Sequence, residues 1–232
     1  MDAHIHVTKE LLPYLQGVSC IANADSPEEY AFLKEVRTSG MRISAGVHPW
    51  KADITEWECM EPVLKDADVI GEIGLDCVWC SVDMEIQRSV FQRQLELAHL
   101  WHKPVILHTK GMERDVLEMI RTIPNRYLIH WYSCKDWLSE YIALGCWFTV
   151  GPDVQWNPVV ERLAKIIPED KLLIESDGLD GLSWGQGRTL HPCDYPDAMR
   201  KYLEYIAELR NLGHLELAER IFGNQNQFLR SI

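Results

Sequence analysis

Two histidines near the start of the chain, His4 and His6, have the spacing of metal ligands on a β-strand. Side chains two residues apart in an extended segment project from the same face, so both imidazoles point one way while Ala3, Ile5 and Val7 take the other. Structural histidines are also common at strand ends, and the pair alone does not make a site. It predicts a metal ion if the rest of the chain brings carboxylates and further imidazoles to the same place.

The elements that must position these side chains are short apolar segments, each followed by a stretch of helical spacing. Strands are predicted at residues 1–7, 18–24, 41–48, 69–74, 104–108, 127–130, 147–150 and 171–176. Helices are predicted from the cap at Ser26 to about residue 39 and at 56–65, 83–102, 113–122, 135–144, 158–167 and 195–212, the last being the longest of the final helices. This alternation predicts an α/β fold, a single (β/α)8 barrel domain over residues 1–232.

In such a barrel the active site lies at the C-terminal ends of the strands. The side chains at these predicted ends are ones that bind metals: His4, His6, His48, Glu72, His108, His130 and Asp177. Leaving His48 aside, four imidazoles and two carboxylates suffice for two divalent ions if one carboxylate bridges. Mixed nitrogen and oxygen ligation suits Zn, Mn, Co or Fe better than Mg, and a two-metal site is suited to hydrolysis.

The composition limits the partners of this site. A formal net charge of −12, with no run of lysine or arginine, argues against tight binding of duplex DNA through many phosphates. Seven scattered cysteines, including Cys77 and Cys80, predict free thiols in a reducing compartment rather than a disulfide framework. No signal peptide and no membrane span are predicted. We therefore expect a cytoplasmic monomer with no obligate protein partner.

Several short motifs resemble, in order, those of TatD-type metal-dependent hydrolases, the TatD-related DNase family of amidohydrolase-like metal barrels. They cover nearly the whole chain and are Asp2-Ala-His4-Ile-His6, Ala45-Gly-Val-His-Pro49, Gly71-Glu-Ile-Gly-Leu-Asp76, Pro104-Val-Ile-Leu-His108, Ile129-His130, Glu175-Ser-Asp177 and Ile221-Phe-Gly-Asn224. The combination is specific, although no single motif is.

The resemblance implies a role for each matched position. His4, His6 and Asp177 would hold one divalent ion. His108 and His130 would hold a second, and Glu72 would bridge the two ions, which the resemblance leaves open among Zn, Mn, Mg and Co. Asp177 and Glu72 would be the catalytic residues, with Asp177 orienting or deprotonating the attacking water.

Four further residues are predicted to contact the substrate or a ligand. His48 and Glu175 match family positions near the site and are expected to hydrogen-bond a metal ligand or meet the substrate. Lys110 stands where the family usually carries arginine and can meet a phosphate only as a point charge. Arg188 could reach the substrate from the last loop. The neighbouring loops differ from the family pattern, so recognition is expected to differ while the metal chemistry is retained.

The predicted function is hydrolysis of phosphoester bonds, including deoxyribonuclease or exonuclease action on single-stranded DNA. Tryptophans that follow strands, Trp50, Trp79, Trp131 and Trp156, are candidates to stack on bases, or else pack at the barrel rim. One alternative is amidohydrolase-like cleavage of a small amide or lactone, which the same barrel supports. A second is a metal-binding scaffold without catalysis.

Overall fold

Eight parallel strands, hydrogen-bonded in chain order, form the centre of the molecule. The computed structural model describes residues 1–230; residues 231 and 232 of the predicted domain lie outside the described residues. The strands are β1 (Asp2–Ile5), β2 (Cys20–Ala24), β3 (Met41–Ala45), β4 (Val69–Gly74), β5 (Val105–His108), β6 (Tyr127–Ile129), β7 (Trp147–Val150) and β8 (Leu172–Ile174).

The sheet turns back on itself where β8 meets β1. The backbone N–H of Asp177, just after β8, donates to the carbonyl of His4 at 3.1 Å. One residue earlier, the N–H of Ser176 donates to the side chain of Asp2 at 2.9 Å. These bonds join the two ends of the sheet and confirm the predicted (β/α)8 barrel, in which the C-terminal ends of the strands share one rim.

Helices connect the strands and close the chain. They are α1 (Pro27–Val36), α2 (Trp57–Asp66), α3 (Met84–Leu100), α4 (Glu113–Ile120), α5 (Leu138–Ala143), α6 (Pro158–Ile166), α7 (Gly178–Gln186), α8 (Tyr195–Leu209) and α9 (His214–Leu229). Short 3-10 turns lie at Leu12–Tyr14, Pro49–Lys51, Glu169–Lys171 and Pro192–Asp194. None of the helices within residues 1–230 has the length and apolar character needed to cross a bilayer.

Helix caps explain where the predicted boundaries hold and where they shift. Ser26 caps α1 as predicted, its hydroxyl accepting the N–H of Glu29 at 3.2 Å. The backbone of Trp137 is left-handed, with φ of 67°, which delays α5 to Leu138. Asn211 is also left-handed and ends α8 early, so the 16-residue α9, not the 15-residue α8, is the longest of the final helices. That prediction was wrong.

Apart from Arg42 on β3, the strands expose no side chain fully on either face of the sheet, as expected when helices cover a parallel sheet. Every residue of β4 is buried, and the apolar face of α3 packs on the barrel through Phe91, Leu95 and Ala98. At the N-terminal end of β8, the amide of Asn224 donates to the carbonyls of Glu169 at 2.7 Å and Leu172 at 2.9 Å. These bonds hold α9 against the strand that leads to the rim.

One glycine sets the spacing between β4 and β5. Gly74 has φ of 153°, and a Cβ atom there would overlap the carbonyl oxygen of His108. The next residue, Leu75, donates its N–H to that same oxygen at 3.1 Å. The close approach of the two strands brings Glu72 beside His108 at the rim.

Candidate metal centre and adjoining pocket

A buried carboxylate, that of Glu72 on β4, lies at the centre of the rim. Its Oε2 atom lies 3.3 Å from Nε2 of His4 and 3.9 Å from Nε2 of His6. Asp177 completes this group, because its Oδ1 lies 3.4 Å from Nε2 of His4 and 3.7 Å from Nε2 of His6. We refer to His4, His6 and Asp177 with this oxygen as the first ligand group.

The other oxygen of Glu72 faces a second set of imidazoles. Its Oε1 atom lies 2.5 Å from Nδ1 of His108 and 3.5 Å from Nε2 of both His48 and His130. We refer to these three histidines with Oε1 as the second ligand group. The structure therefore brings all six predicted ligands to one place and adds His48 to them.

The donor atoms fit a divalent ion in the first ligand group. His4 is fully buried, and neither of its ring nitrogens has a hydrogen-bond partner among the described residues. A buried polar atom without a partner is costly, so such atoms normally bind a proton donor, an acceptor or a metal. Two carboxylate oxygens lie within 3.4 Å of Nε2 of His4, as expected for ligands arranged around one cation.

The electrostatics of the cluster also favour a cation. Burial by itself would raise the pKa of Glu72, but the imidazoles of His130, His48 and His108 hold it well below its usual range. Burial lowers the pKa of His4, yet the carboxylates of Asp177 and Glu72 outweigh burial and raise that pKa well above its usual value. Likewise Glu72 and Asp76 outweigh burial and raise the pKa of His108 to about 9. The two groups thus place ionised carboxylates beside imidazoles that tend to be protonated. A metal ion can take the place of the protons on these imidazoles.

Buried carboxylates orient two of the histidines. Nδ1 of His130 lies 2.9 Å from Oε2 of Glu175, which is fully buried. Nε2 of His108 lies 3.1 Å from Oδ2 of Asp76, so its Nδ1 faces Glu72. Such contacts fix the tautomer and the ring orientation of ligating histidines.

Asp76 was not among the residues predicted from the sequence. Its Oδ1 accepts the backbone N–H groups of Val78 at 2.7 Å and Trp79 at 2.8 Å, and its Oδ2 accepts the indole N–H of Trp50 at 2.7 Å. The available signal was its place in the motif Gly71–Asp76, two residues after the end of β4. Its contacts with both a ligand and two loops could be found only from the structure.

Asp177 reaches its position through an unusual backbone. Its φ of 57° lies in the left-handed region, which aspartate tolerates better than most residues do. Gly178 follows with φ of 81° and begins α7. The sharp turn after β8 thus aims the carboxylate back across the rim toward β1.

The structure places the four predicted contact residues in different surroundings. His48 belongs to the second ligand group, and Glu175 lies beneath His130. Lys110 lines a pocket beside the metal centre, with its Nζ 3.3 Å from Oγ of Ser133. Arg188 lines a different cavity of about 220 Å³ and donates to Gln186 at 3.2 Å. Its predicted contact with the substrate stays a prediction.

The pocket beside the metal centre has a cavity volume of about 390 Å³. Residues of the two ligand groups and four tryptophans are among those that line it: His108, His130, Asp177, Trp50, Trp79, Trp131 and Trp184. Trp184, on α7, was not predicted because it follows no strand directly. Trp156 packs against Trp184 with ring centroids 5.1 Å apart.

Comparison with known proteins identifies the family to which the chain belongs. The family model described as TatD related DNase matches residues 1–230. YabD of Bacillus subtilis, named as an uncharacterized metal-dependent hydrolase, is 26% identical over 218 residues, covering 88% of this chain and 80% of its own. YcfH of Escherichia coli, which is also named as an uncharacterized metal-dependent hydrolase, is 24% identical over 217 residues. The match covers 86% of this chain and 78% of YcfH.

Solved structures agree with the barrel architecture. The crystal structure of YjjV, a TatD homologue from Escherichia coli K12, has a TM-score of 0.81 at 22% identity and covers 98% of this chain and 96% of its own. A TatD-family hydrolase from Entamoeba histolytica has a TM-score of 0.77 at 15% identity, with the same coverage. At these identities the likeness shows the fold.

Proposed function

Because the chain belongs to the TatD-related DNase family, we propose that it is a metal-dependent hydrolase that cleaves phosphoester bonds, including those of single-stranded DNA. The observation that carries the proposal is that the two carboxylate oxygens of Glu72 face different imidazoles. Its Oε2 lies 3.3 Å from a first-group imidazole and its Oε1 lies 2.5 Å from a second-group imidazole. A carboxylate whose two oxygens face different imidazoles would be suited to bridge two ions.

In this proposal His4, His6 and Asp177 would hold one ion, His108 and His130 would hold the other, and Glu72 would contact both. When bound, two divalent ions supply Lewis acidity that activates water and offsets charge on the leaving oxygen. Mixed nitrogen and oxygen ligands are compatible with Zn, Mn or Co, and they suit Mg less well.

The residues of the chain have distinct tasks beside the ions. Burial would raise the pKa of Asp177, but the nearby imidazoles of His4 and His130 outweigh burial and lower it. An ionised Asp177 can accept a hydrogen bond or a proton from water. Lys110, at the wall of the pocket, can offer one positive charge to a phosphate.

The cysteines bear on the cellular compartment of the protein. The seven cysteines are free thiols in the structure, which supports a reducing compartment such as the cytoplasm. A monomer without an obligate partner is part of the proposal.

The test is a metal-reloading assay across substrate classes. Protein stripped by a chelator is reloaded with Zn, Mn, Mg or Co and incubated with bis(p-nitrophenyl) phosphate, a single-stranded oligonucleotide, and amide and lactone panels. We expect chelator-sensitive cleavage of the phosphodiesters. Cleavage of amides or lactones alone would contradict the proposal and favour the amidohydrolase alternative, and no cleavage of any substrate would favour the scaffold.

The matched variants are Glu72→Gln at the centre and Glu208→Gln on the exposed face of α8. Both remove one carboxylate charge. Loss of a bridging charge should remove several kcal/mol of transition-state stabilisation, which lowers kcat/KM about a thousandfold. Glu208→Gln should retain wild-type activity. Circular dichroism would establish that both variants are folded.

A further inference from the structure

We propose that the pocket beside the metal centre selects a short substrate, one aromatic base joined to one phosphodiester, over a long polynucleotide. This inference rests on the proposed phosphoesterase function and names its substrate class. Four features support it: the aromatic walls, the order of their rings, the charge around them and the size of the pocket.

The aromatic walls come from two sides of the barrel rim. Trp50 and Trp79 follow β3 and β4, whereas Trp131 follows β6 and Trp184 lies on α7 after β8. Trp79 is 67% exposed and Trp184 is 57% exposed. Two large apolar rings left open to solvent beside a catalytic centre are available to stack on a planar base.

Hydrogen bonds and packing hold three of these rings in place, those of Trp50, Trp131 and Trp184. The indole N–H of Trp50 donates to Asp76 at 2.7 Å, and that of Trp131 donates to Asp153 at 2.8 Å. Trp184 lies edge-to-face with Trp131, their ring centroids 5.5 Å apart, and also packs against Trp156. Rings that are already ordered lose little entropy when a ligand stacks on them.

The charge of the pocket suits one phosphate and opposes many. Lys110 is the single lysine or arginine among the described residues that line it, and Glu113, Asp153 and Asp180 line it too. The chain as a whole carries a net charge of −12. A phosphate at the metal centre meets cations, but each further phosphate of a long strand meets an acidic surface.

The size of the pocket agrees with a preference for a short substrate. Its volume of about 390 Å³ lies near the lower end of the range typical of small-molecule sites. That volume suits a base with its sugar and phosphate rather than several stacked nucleotides. The rest of a long strand would lie outside the pocket.

The first experiment compares dTpdT with the oligonucleotide dT20 on the metal-loaded protein. We expect kcat/KM to be at least about tenfold higher for dTpdT at about 20 mM NaCl, with the difference shrinking at about 200 mM NaCl. Salt screens the repulsion between the acidic protein and the longer strand. A preference for dT20 that weakens steeply with salt, as for a protein with a basic nucleic-acid-binding face, would overturn the inference.

The second experiment measures binding alone, by calorimetry of the metal-loaded protein with thymidine 5′-monophosphate and with inorganic phosphate. We expect the nucleotide to bind about 5- to 100-fold more tightly, since the ring adds a stacking contact. Trp184→Ala and Trp79→Ala should each reduce this advantage, and Trp184→Phe should retain most of it. Trp101→Ala, remote from the pocket, is the tryptophan control, with its melting temperature confirming the fold.

The two experiments separate the inference from the proposed function. Equal affinities for the nucleotide and for phosphate in the wild type, or no change in Trp184→Ala and Trp79→Ala, would overturn the inference even if phosphodiesters are cleaved. If no phosphodiester is cleaved but the nucleotide advantage depends on these tryptophans, the reaction class is wrong and the aromatic subsite is supported.

Discussion

Nδ1 of His130 lies 2.9 Å from Oε2 of Glu175, and both side chains are buried. This contact uses one nitrogen of the imidazole and leaves the other, Nε2, facing Oε1 of Glu72 at 3.5 Å. Residue 175 therefore decides which nitrogen of residue 130 is presented to the centre. A carboxylate behind a ligating imidazole also raises its basicity as a ligand.

Replacing Glu175 with glutamine should weaken metal binding without removing a direct ligand. The amide keeps the size of the side chain but loses its charge, so we expect the affinity of the second ligand group to fall about 10- to 100-fold. Competition with a fluorescent chelator would measure it, with Glu208→Gln as the surface control. Unchanged affinity would show that the contact has no influence on the metal.

Metal stoichiometry should distinguish the two ligand groups. We expect two ions per chain in the wild type and one in each of the variants His6→Ala and His108→Ala, since each removes a ligand from one group only. Elemental analysis after gel filtration would count the ions. His214→Ala, which alters an exposed histidine at the start of α9, should retain both. One ion in the wild type would contradict the bridging arrangement.

Metal affinity should rise with pH. Nearby carboxylates outweigh burial and raise the pKa of His108 to about 9 and that of His4 well above its usual value. In the metal-free protein both imidazoles therefore keep their protons to a higher pH than a free histidine does, and a metal must displace these protons. The apparent dissociation constant should fall as pH rises from about 6 toward 9.

Calorimetry in two buffers of different ionisation enthalpy would count the released protons. We expect net proton release on metal binding at pH 7, and less at pH 9, where fewer protons remain on His108. A binding enthalpy that does not depend on the buffer would contradict the protonated state.

The buried amide of Asn224 should contribute to stability. Asn224→Ala leaves the carbonyls of Glu169 and Leu172 without this donor, so we expect a loss of about 1–3 kcal/mol in the free energy of unfolding. Asn226→Ala, at an exposed position of the same helix, should change stability by about 0.5 kcal/mol or less. Urea denaturation would compare the two, and equal effects would count against the role of the buried amide.

The cysteines should differ sharply in reactivity. Burial raises the pKa of both the Cys20 and the Cys146 thiol to about 12, so neither forms an appreciable thiolate at pH 8. Cys59, Cys77 and Cys193 are exposed. Titration with a chromogenic disulfide should label the exposed thiols quickly, and Cys20 and Cys146 only after unfolding. Rapid labelling of either buried thiol would show that the barrel opens readily.

The sequence by itself predicted the barrel and the histidines and carboxylates that meet at its rim. Alternating apolar and helical segments imply a parallel barrel, and that topology places the ends of all strands at one rim. His4 and His6 could be predicted as a pair because strand spacing is local. The exact helix ends could not, since they depend on single left-handed residues such as Trp137 and Asn211.

Only the tertiary structure decided which of these residues contact one another and which cavity each one lines. It showed which oxygen of Glu72 faces which imidazoles, that Asp76 lies behind His108, and that Trp184 lines the pocket while Arg188 lines another cavity. These relations join residues far apart in the chain and depend on side-chain rotamers and strand separation. Periodicity along a sequence specifies the face on which a side chain lies, whereas the distance between two faces follows only from packing.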